Sequence, residues 1–502
     1  MPDQSMVACR NLAFSYDSAE SPLFTNLSAH FPPGFTGVVG ANGAGKTTFL
    51  RLMIGQLMPT GGTIEGTRDA VYCAQRTDEP PDRFEEFLND WDGEACELRG
   101  RLDVDYEYLE RWVTLSHGER KRAQIAHALW QSPSLLAIDE PTNHIDAGAR
   151  GLLLDALKRY SGVGLIVSHD RALLDELCTQ CLWLEPPTAQ MYTGGITQTR
   201  AQMQSAHATA VRDRKKLVSE NKRLQREMVK RRDTASREHS ARSKKGLAKK
   251  DSDAREKIDR ARVSDGGAGS QLRQLGGRSA QLQARLDTSH VKKVYETGVW
   301  LEGSKSPRDT VLNLDAGEIA FASERVLRWP QLAIKADQRI AITGNNGIGK
   351  STWINHVLPL LNVPSEHVVF LPQEVSAATA RELMAEVRAL PNQKLGHIMN
   401  VVSRLNSRPE RLLESHQPSP GEVRKLLLAM GLSRQPHIIV MDEPTNHLDL
   451  PSIEALEAAL ADCPCALLMV SHDQDFIERV GAQSWQVASG EEGVSLLVPV
   501  DR

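Results

Sequence analysis

Residues 40–47 read Gly-Ala-Asn-Gly-Ala-Gly-Lys-Thr, and residues 344–351 read Gly-Asn-Asn-Gly-Ile-Gly-Lys-Ser. Both fit G-x-x-x-x-G-K-[ST]. An apolar run precedes each (Phe35 to Val39; Arg339 to Thr343) and a helical pattern follows. Strand, glycine loop and helix in that order make a phosphate cradle. The glycines let backbone N–H groups turn onto phosphate oxygens, and the helix N-terminus adds its positive dipole. Lys46 and Lys350 neutralise phosphate charge, and the hydroxyls of Thr47 and Ser351 can ligate Mg²⁺. The binding candidates are Gly40, Asn42, Gly43, Gly45, Lys46, Thr47 and Thr48 in one stretch. Their counterparts are Gly344, Asn346, Gly347, Gly349, Lys350, Ser351 and Thr352.

The two stretches belong to an internal repeat, from about Met6 to Tyr192 and from about Leu312 to Val498. Each copy continues with an apolar run ending in two acids: Leu-Leu-Ala-Ile-Asp139-Glu140 and Ile-Ile-Val-Met-Asp442-Glu443. A buried parallel strand puts such a pair at its C-terminal end, where α/β sheets bind ligands. Asp139 and Asp442 then reach Mg²⁺, while Glu140 and Glu443 polarise an attacking water. Pro-Thr-Asn-His follows in both copies (Pro141–His144; Pro444–His447), and then Asp146 or Asp449. Ser168-His169-Asp170 and Ser471-His472-Asp473 follow Val-rich strands, so either histidine can contact a terminal phosphate. Gln75 and Gln373 end an apolar strand between loop and acids, in reach of Mg²⁺ and the water. The expected fold class is α/β, two nucleotide-binding domains at 1–196 and 299–502 around a helical segment at 197–298.

Bulk properties narrow the class. The chain has 502 residues, 40% hydrophobic and 25% charged, with net charge −4, so it is globular and of ordinary composition. Seven cysteines, odd in number and sparse, argue against a disulfide framework and for buried reduced thiols. No run approaches the ~20 apolar residues of a membrane span, and no signal peptide is read at the N-terminus. The expectation is a cytoplasmic protein with no membrane partner.

Charge is uneven. Val211 to Arg262 holds 20 Lys/Arg against 9 Asp/Glu, so this middle segment is a basic probe on an acidic body. Leu217, Leu224 and Met228 mark one helical stripe; Leu272, Leu275, Leu282 and Leu286 mark another. Two antiparallel helices would seal the stripes together, with Gly266-Gly267 and Gly276-Gly277 interrupting the second arm. The basic tip then falls between about Arg231 and Lys257. No Phe, Tyr or Trp occurs between Val211 and His290, so backbone phosphates or folded RNA are better targets than stacked bases.

Together these residues resemble the ATP-binding cassette superfamily. Leu115-Ser116-His117-Gly118-Glu119 is similar to its L-S-G-G-Q/E signature, and Ser419-Pro420-Gly421-Glu422 holds the same place in the second copy. His117 and Pro420 replace the first glycine, and Pro418 the leucine. The resemblance implies ATP and Mg²⁺ as cofactors and head-to-tail dimerisation of the cassettes within one monomer. It pairs the Gly40–Thr47 loop, Asp139, Glu140 and His169 with Ser419, Gly421 and Glu422 at site one. At site two it pairs the Gly344–Ser351 loop, Asp442, Glu443 and His472 with Ser116, Gly118 and Glu119. It also implies an adenine-stacking aromatic at Tyr16; the matching stretch of the second copy, Phe321 to Arg325, has no tyrosine, and Arg325 is the stacking candidate there.

Two cassettes with a charged helical linker resemble the ABC-F subfamily. That resemblance implies a ribosome-binding ATPase in the tRNA exit site, its linker reaching toward P-site tRNA. Translation factors and antibiotic-protection proteins both occur in that subfamily. A DNA-processing or repair ATPase and the energy subunit of a membrane transporter are the rival readings.

Overall fold

The computed structural model describes residues 6–17, 21–66, 69–143, 145–241, 266–288, 305–321, 325–407, 409–414, 418–490 and 494–500. The chain forms two compact units: Met1–Thr199 with Tyr295–Arg502, and Arg200–Val294.

In the first copy a six-stranded sheet runs Ala70–Cys73, Leu135–Asp139, Val163–Val167, Gly34–Gly40, Cys178–Glu185, Thr188–Thr193. All neighbours are parallel except the last pair. Leu135–Asp139 and Val163–Val167 are buried at every residue. Layers on both faces explain why these strands read as unbroken apolar runs. Parallel register brings the ends of three strands to one edge: Gly40 opens the glycine loop, Asp139 lies opposite Val167, and His169 follows two residues on. A separate antiparallel sheet, Phe24–Phe31, Val7–Phe14 and Gly61–Glu65 in that order, packs against the loop helix Lys46–Met53.

The second copy repeats this around Arg339–Thr343, Ala466–Val470, Ile438–Asp442 and Val368–Leu371, all parallel. It differs at the other side. Arg325–Trp329 pairs in parallel with Val494–Pro499, so the antiparallel pair Gly317–Phe321 and Arg325–Trp329 joins one eight-stranded sheet, while Thr310–Leu314 and Leu332–Lys335 stay a separate antiparallel pair. Trp353, on the loop helix Lys350–Val357, meets Trp329 and Trp485 edge-on at 6.5 and 6.1 Å. Of the seven cysteines, all free, only Cys96 is not buried. Among the described residues no helix is long and apolar enough to cross a membrane.

The second unit holds most of helix Ile196–Ala241 and the helix Gly266–Thr288. Leu224, Leu275 and Leu282 are buried together, with Leu217 and Met228 against them. Asn221, also buried, donates to Gln283 Oε1 at 3.0 Å and accepts from Ser279 Oγ at 3.1 Å. A buried asparagine bonded across the seam in this way fixes the register of two helices. The expected break at Gly276-Gly277 is corrected: the helix runs through both glycines. A side chain added at Gly276 would start 3.9 Å from Met228 Cε, so the glycine lies at the seam. Packing there outweighs the ~1 kcal/mol helix penalty of each glycine. Residues 242–265, which include most of the basic tip, lie outside the described residues.

Leu282→Ala removes a seam contact and is expected to cost about 2 kcal/mol. Amide exchange should then speed up across Gly266–Thr288 and stay unchanged in the sheets of both copies.

Candidate functional site: two facing phosphate loops

Both loops end in a left-handed glycine, Gly45 at φ 85° and Gly349 at φ 100°, immediately before the helix. Glycine adopts that conformation without a Cβ penalty. Lys46 Nζ donates to Gly40 O at 2.9 Å and Ala41 O at 3.3 Å. Lys350 Nζ donates to Gly344 O at 2.6 Å and Asn345 O at 2.8 Å. Each ammonium is thus folded over its own loop. Burial lowers the pKa of both lysines, and the nearby acids oppose that shift.

Thr47 Oγ1 donates to Asp139 Oδ2 at 2.7 Å, and Ser351 hydrogen-bonds Asp442. Asp442 Oδ1 is buried and finds no donor among the described residues. Hydroxyl and carboxylate oxygens, one of them unsatisfied, are the hard donor set that Mg²⁺ takes, so the residues fit that ion.

Glu140 and Glu443 follow their strands at φ 48° and 47°. Non-glycine residues held there mark strain that the surroundings must enforce. Their amides are tied to Val167 O at 2.8 Å and Val470 O at 2.9 Å. Burial pushes both carboxyls up to about 8, against the pull of Lys46 or Lys350. His169 Nε2 lies 3.0 Å from Glu140 Oε1, and His472 Nε2 lies 3.3 Å from Glu443 Oε1. Burial and the neighbouring lysine push the imidazoles down, to about 3 for His169 and about 4 for His472. Each glutamate therefore faces a neutral imidazole.

The two copies meet at these loops. Asn42 N donates to Asp449 Oδ2 at 2.6 Å, and Asn346 N to Asp146 Oδ2 at 3.2 Å. The other oxygen of each aspartate caps its own helix, accepting from Ser452 N at 3.0 Å or Ala149 N at 2.9 Å. Asn42 Nδ2 also reaches His447 O at 3.1 Å. Gly421 is buried here: a Cβ would stand 2.5 Å from His447 O and 3.5 Å from Asn42 Nδ2. The second signature thus meets the first loop.

Ser419 and Ser116 both cap their helices in reciprocal boxes with Glu422 and Glu119. Pro420 leaves this cap intact, because proline sits in the first turn, where no intrahelical donor is needed. Site two is a cavity of 560 Å³ lined by Lys350, Ser351, Gln373, Glu443 and His472 and, from the first copy, Asp146 and Arg150. Ser116 is exposed and Gly118 half-buried, and neither lines it.

Gln75 is exposed two residues past its strand. Tyr16 OH bonds Thr48 Oγ1 at 2.8 Å, leaving a largely exposed ring beside the loop helix. Arg325 Nη1 donates to Gly347 O at 3.3 Å, above the second loop. Residue 144 and residues 322–324 lie outside the described set.

Sequence reasoning missed three features. Lys121 Nζ joins Ala74 O (2.6 Å) to Asp139 O (3.0 Å), and Arg424 Nη2 binds Asp442 O and Glu443 O, both at 2.8 Å. These buried cations, five residues past each signature serine, tie the signature helix to the acid strand. A cation amid an otherwise apolar helix face was the available signal. The third is Arg171 Nη1 to Glu457 Oε1 at 2.8 Å, an ion pair across the two copies with both side chains under a tenth exposed. No spacing within either copy announces it.

Paired loops, acid pairs and histidines, each loop met by an aspartate of the other copy, are the parts of a nucleoside triphosphatase. The family described as ABC transporter matches residues 24–143 and 327–446. The ribosome protection protein VmlR of Bacillus subtilis is 27% identical, over 93% of this chain and 84% of that one. ABC transporter F family member 2 of Arabidopsis thaliana is 27% identical, over 90% and 72%. The archaeal ribosome recycling factor aABCE1, solved with ribosomal stalk protein aP1, superimposes with a TM-score of 0.62 at 20% identity, over 98% and 90%. Each half of the chain thus carries an ATP-binding cassette, the chain is similar to ABC-F proteins along most of its length, and it is an ATPase.

Arg171→Ala leaves the buried Glu457 carboxylate with only the exposed Arg479, 3.7 Å away, and should cost about 3 kcal/mol in chemical unfolding. Adding Glu457→Leu, which copies Leu154 of the other half, should recover most of that loss.

Proposed function

We propose that this chain is a cytoplasmic ribosome-associated ATPase whose cassettes close on two ATP·Mg²⁺ and part after hydrolysis. In this reading residues 1–196 and 299–502 are the cassettes. The linker, 197–298, enters with them at the tRNA exit site and points toward P-site tRNA. The observation that carries the closing step is the reciprocal pair Asn42–Asp449 and Asn346–Asp146, which spans both sites. Two things support the ribosome as partner: the likeness to a ribosome protection protein along almost the whole chain, and the one-signed charge of the linker, suited to RNA phosphates.

At site one the N–H groups of the Gly40–Thr48 loop and Lys46 hold the triphosphate, with Tyr16 on the adenine and Ser419, Gly421 and Glu422 closing from the opposite copy. Site two uses the Gly344–Thr352 loop with Ser116, Gly118 and Glu119. Thr47, Gln75 and Asp139, and Ser351, Gln373 and Asp442, are the residues that would hold Mg²⁺, which supplies charge neutralisation on the phosphates. Glu140 and Glu443 each take a proton from a water as its oxygen bonds the terminal phosphorus. The bond to the bridging oxygen breaks, and ADP and phosphate leave. His169 and His472 orient the glutamate and touch the terminal phosphate. Losing that phosphate removes contacts made from both copies, which releases the halves.

Two tests apply. With Glu140→Gln and Glu443→Gln combined, ATP binds uncleaved, so the protein should sediment with ribosomes in ATP and inhibit translation. A double variant that stays free of ribosomes, or wild-type hydrolysis driven by DNA and not by ribosomes, would refute the reading. Second, a base held at about 8 is charged only as pH rises, so kcat/KM should climb through pH 7 to 9. The same shift has a stability sign. The folded glutamates bind more protons than the unfolded ones between their ordinary 4.5 and about 8. Nucleotide-free stability contributed by these groups should therefore fall as pH rises across that window.

A further inference from the structure

The two sites are not equivalent in charge, and Arg150 is the reason. It lies one turn into the helix Ala147–Leu157 that Asp146 caps, and its amide bonds Asp146 O at 3.0 Å. Its guanidinium pairs with Asp170 Oδ2 at 3.3 Å through Nη1. It lines the site-two cavity with Lys350, Ser351, Glu443 and His472 of the other copy. The matching residue of the second copy, seven positions beyond Asn446 as Arg150 is beyond Asn143, is Ile453. Ile453 is 2% exposed and packs into the second copy's own core. Site one therefore receives no cation at this place.

We infer that Arg150 is a trans-acting contact for the terminal phosphate at site two, supplied by the first cassette only when the halves are closed. The inference rests on the sandwich reading above and deepens it. A guanidinium offers a planar fork of donors that suits phosphate oxygens. It moves no proton. It stabilises charge on the phosphoryl group in transit, as cations from a second domain do in other phosphoryl-transfer enzymes. Asp170 holds the fork beside the cavity, and Arg171 and Asp473 complete the charged set around it. Lys350 already covers the loop carbonyls, so the two cations approach the same anion from opposite copies. Site two is accordingly the faster site.

The test is site-resolved nucleotide trapping in the full-length chain. The protein is incubated with 8-azido-ATP and orthovanadate, irradiated and digested, and labelled peptides from the two loops are counted separately. Arg150→Ile, which copies Ile453, should lower trapping at site two about tenfold or more, short of the ~10³ of a complete arginine finger. Site one should stay within about twofold, and Arg150→Lys should retain an intermediate fraction at site two. Unchanged trapping at site two, or an equal fall at both sites, overturns the inference while leaving the sandwich intact. No trapping at either site in the unaltered protein removes the sandwich reading, and this inference with it.

Discussion

Two aspartates do double duty at the centre of this molecule. Asp449 and Asp146 each cap a helix of their own copy with one oxygen and accept a loop amide of the other copy with the second. A carboxylate has enough lone pairs for both tasks, and the charge suits the positive end of the helix it caps. Because the capped helix begins where the acid strand's turn ends, the contact joins one copy's loop to the other's catalytic edge. Movement between halves therefore becomes movement of catalytic groups. Glu140 and Glu443 stand in the same turns, at backbone angles that cost energy to maintain.

Chemistry at this edge is set by exclusion of water. Glutamate and histidine are both driven toward their neutral forms by burial, in opposite directions on the pH scale. The lysine that faces them is lowered too. A neutral glutamate and histidine beside the loop suit a ligand bringing several negative charges and a divalent ion, since ligand charges are poorly screened where water is excluded. The buried cations Lys121 and Arg424 hold strand-end carbonyls, so they fix backbone geometry and leave the cavity open.

Much of this was legible in the sequence because it depends on local order. Gly45, Lys46 and Thr47 work as consecutive residues, and Asp139 with Glu140 ends a strand whose apolar run cannot be mistaken. The hairpin stripe at Leu224, Leu275 and Leu282 also follows from spacing alone. What stayed hidden depends on residues far apart in the chain. Arg325–Trp329 joins the main sheet because Val494–Pro499 offers a free edge, and no propensity of either segment encodes that choice. Gly276-Gly277 look like helix breakers by composition, yet the seam beside Met228 keeps the helix whole. The meeting of Gly421 with Asn42 and of Arg171 with Glu457 spans hundreds of residues, so neither copy read by itself contains it.

The Arg171–Glu457 pair also bears on ancestry. A tandem duplication begins with interchangeable halves, each able to stand in for the other. The positions matching this pair by symmetry are Gln474 and Leu154, which cannot form an ion pair. The duplicated halves are thus no longer interchangeable at this contact. A chimaera of two first halves or of two second halves would lose a fastening that only the native order provides.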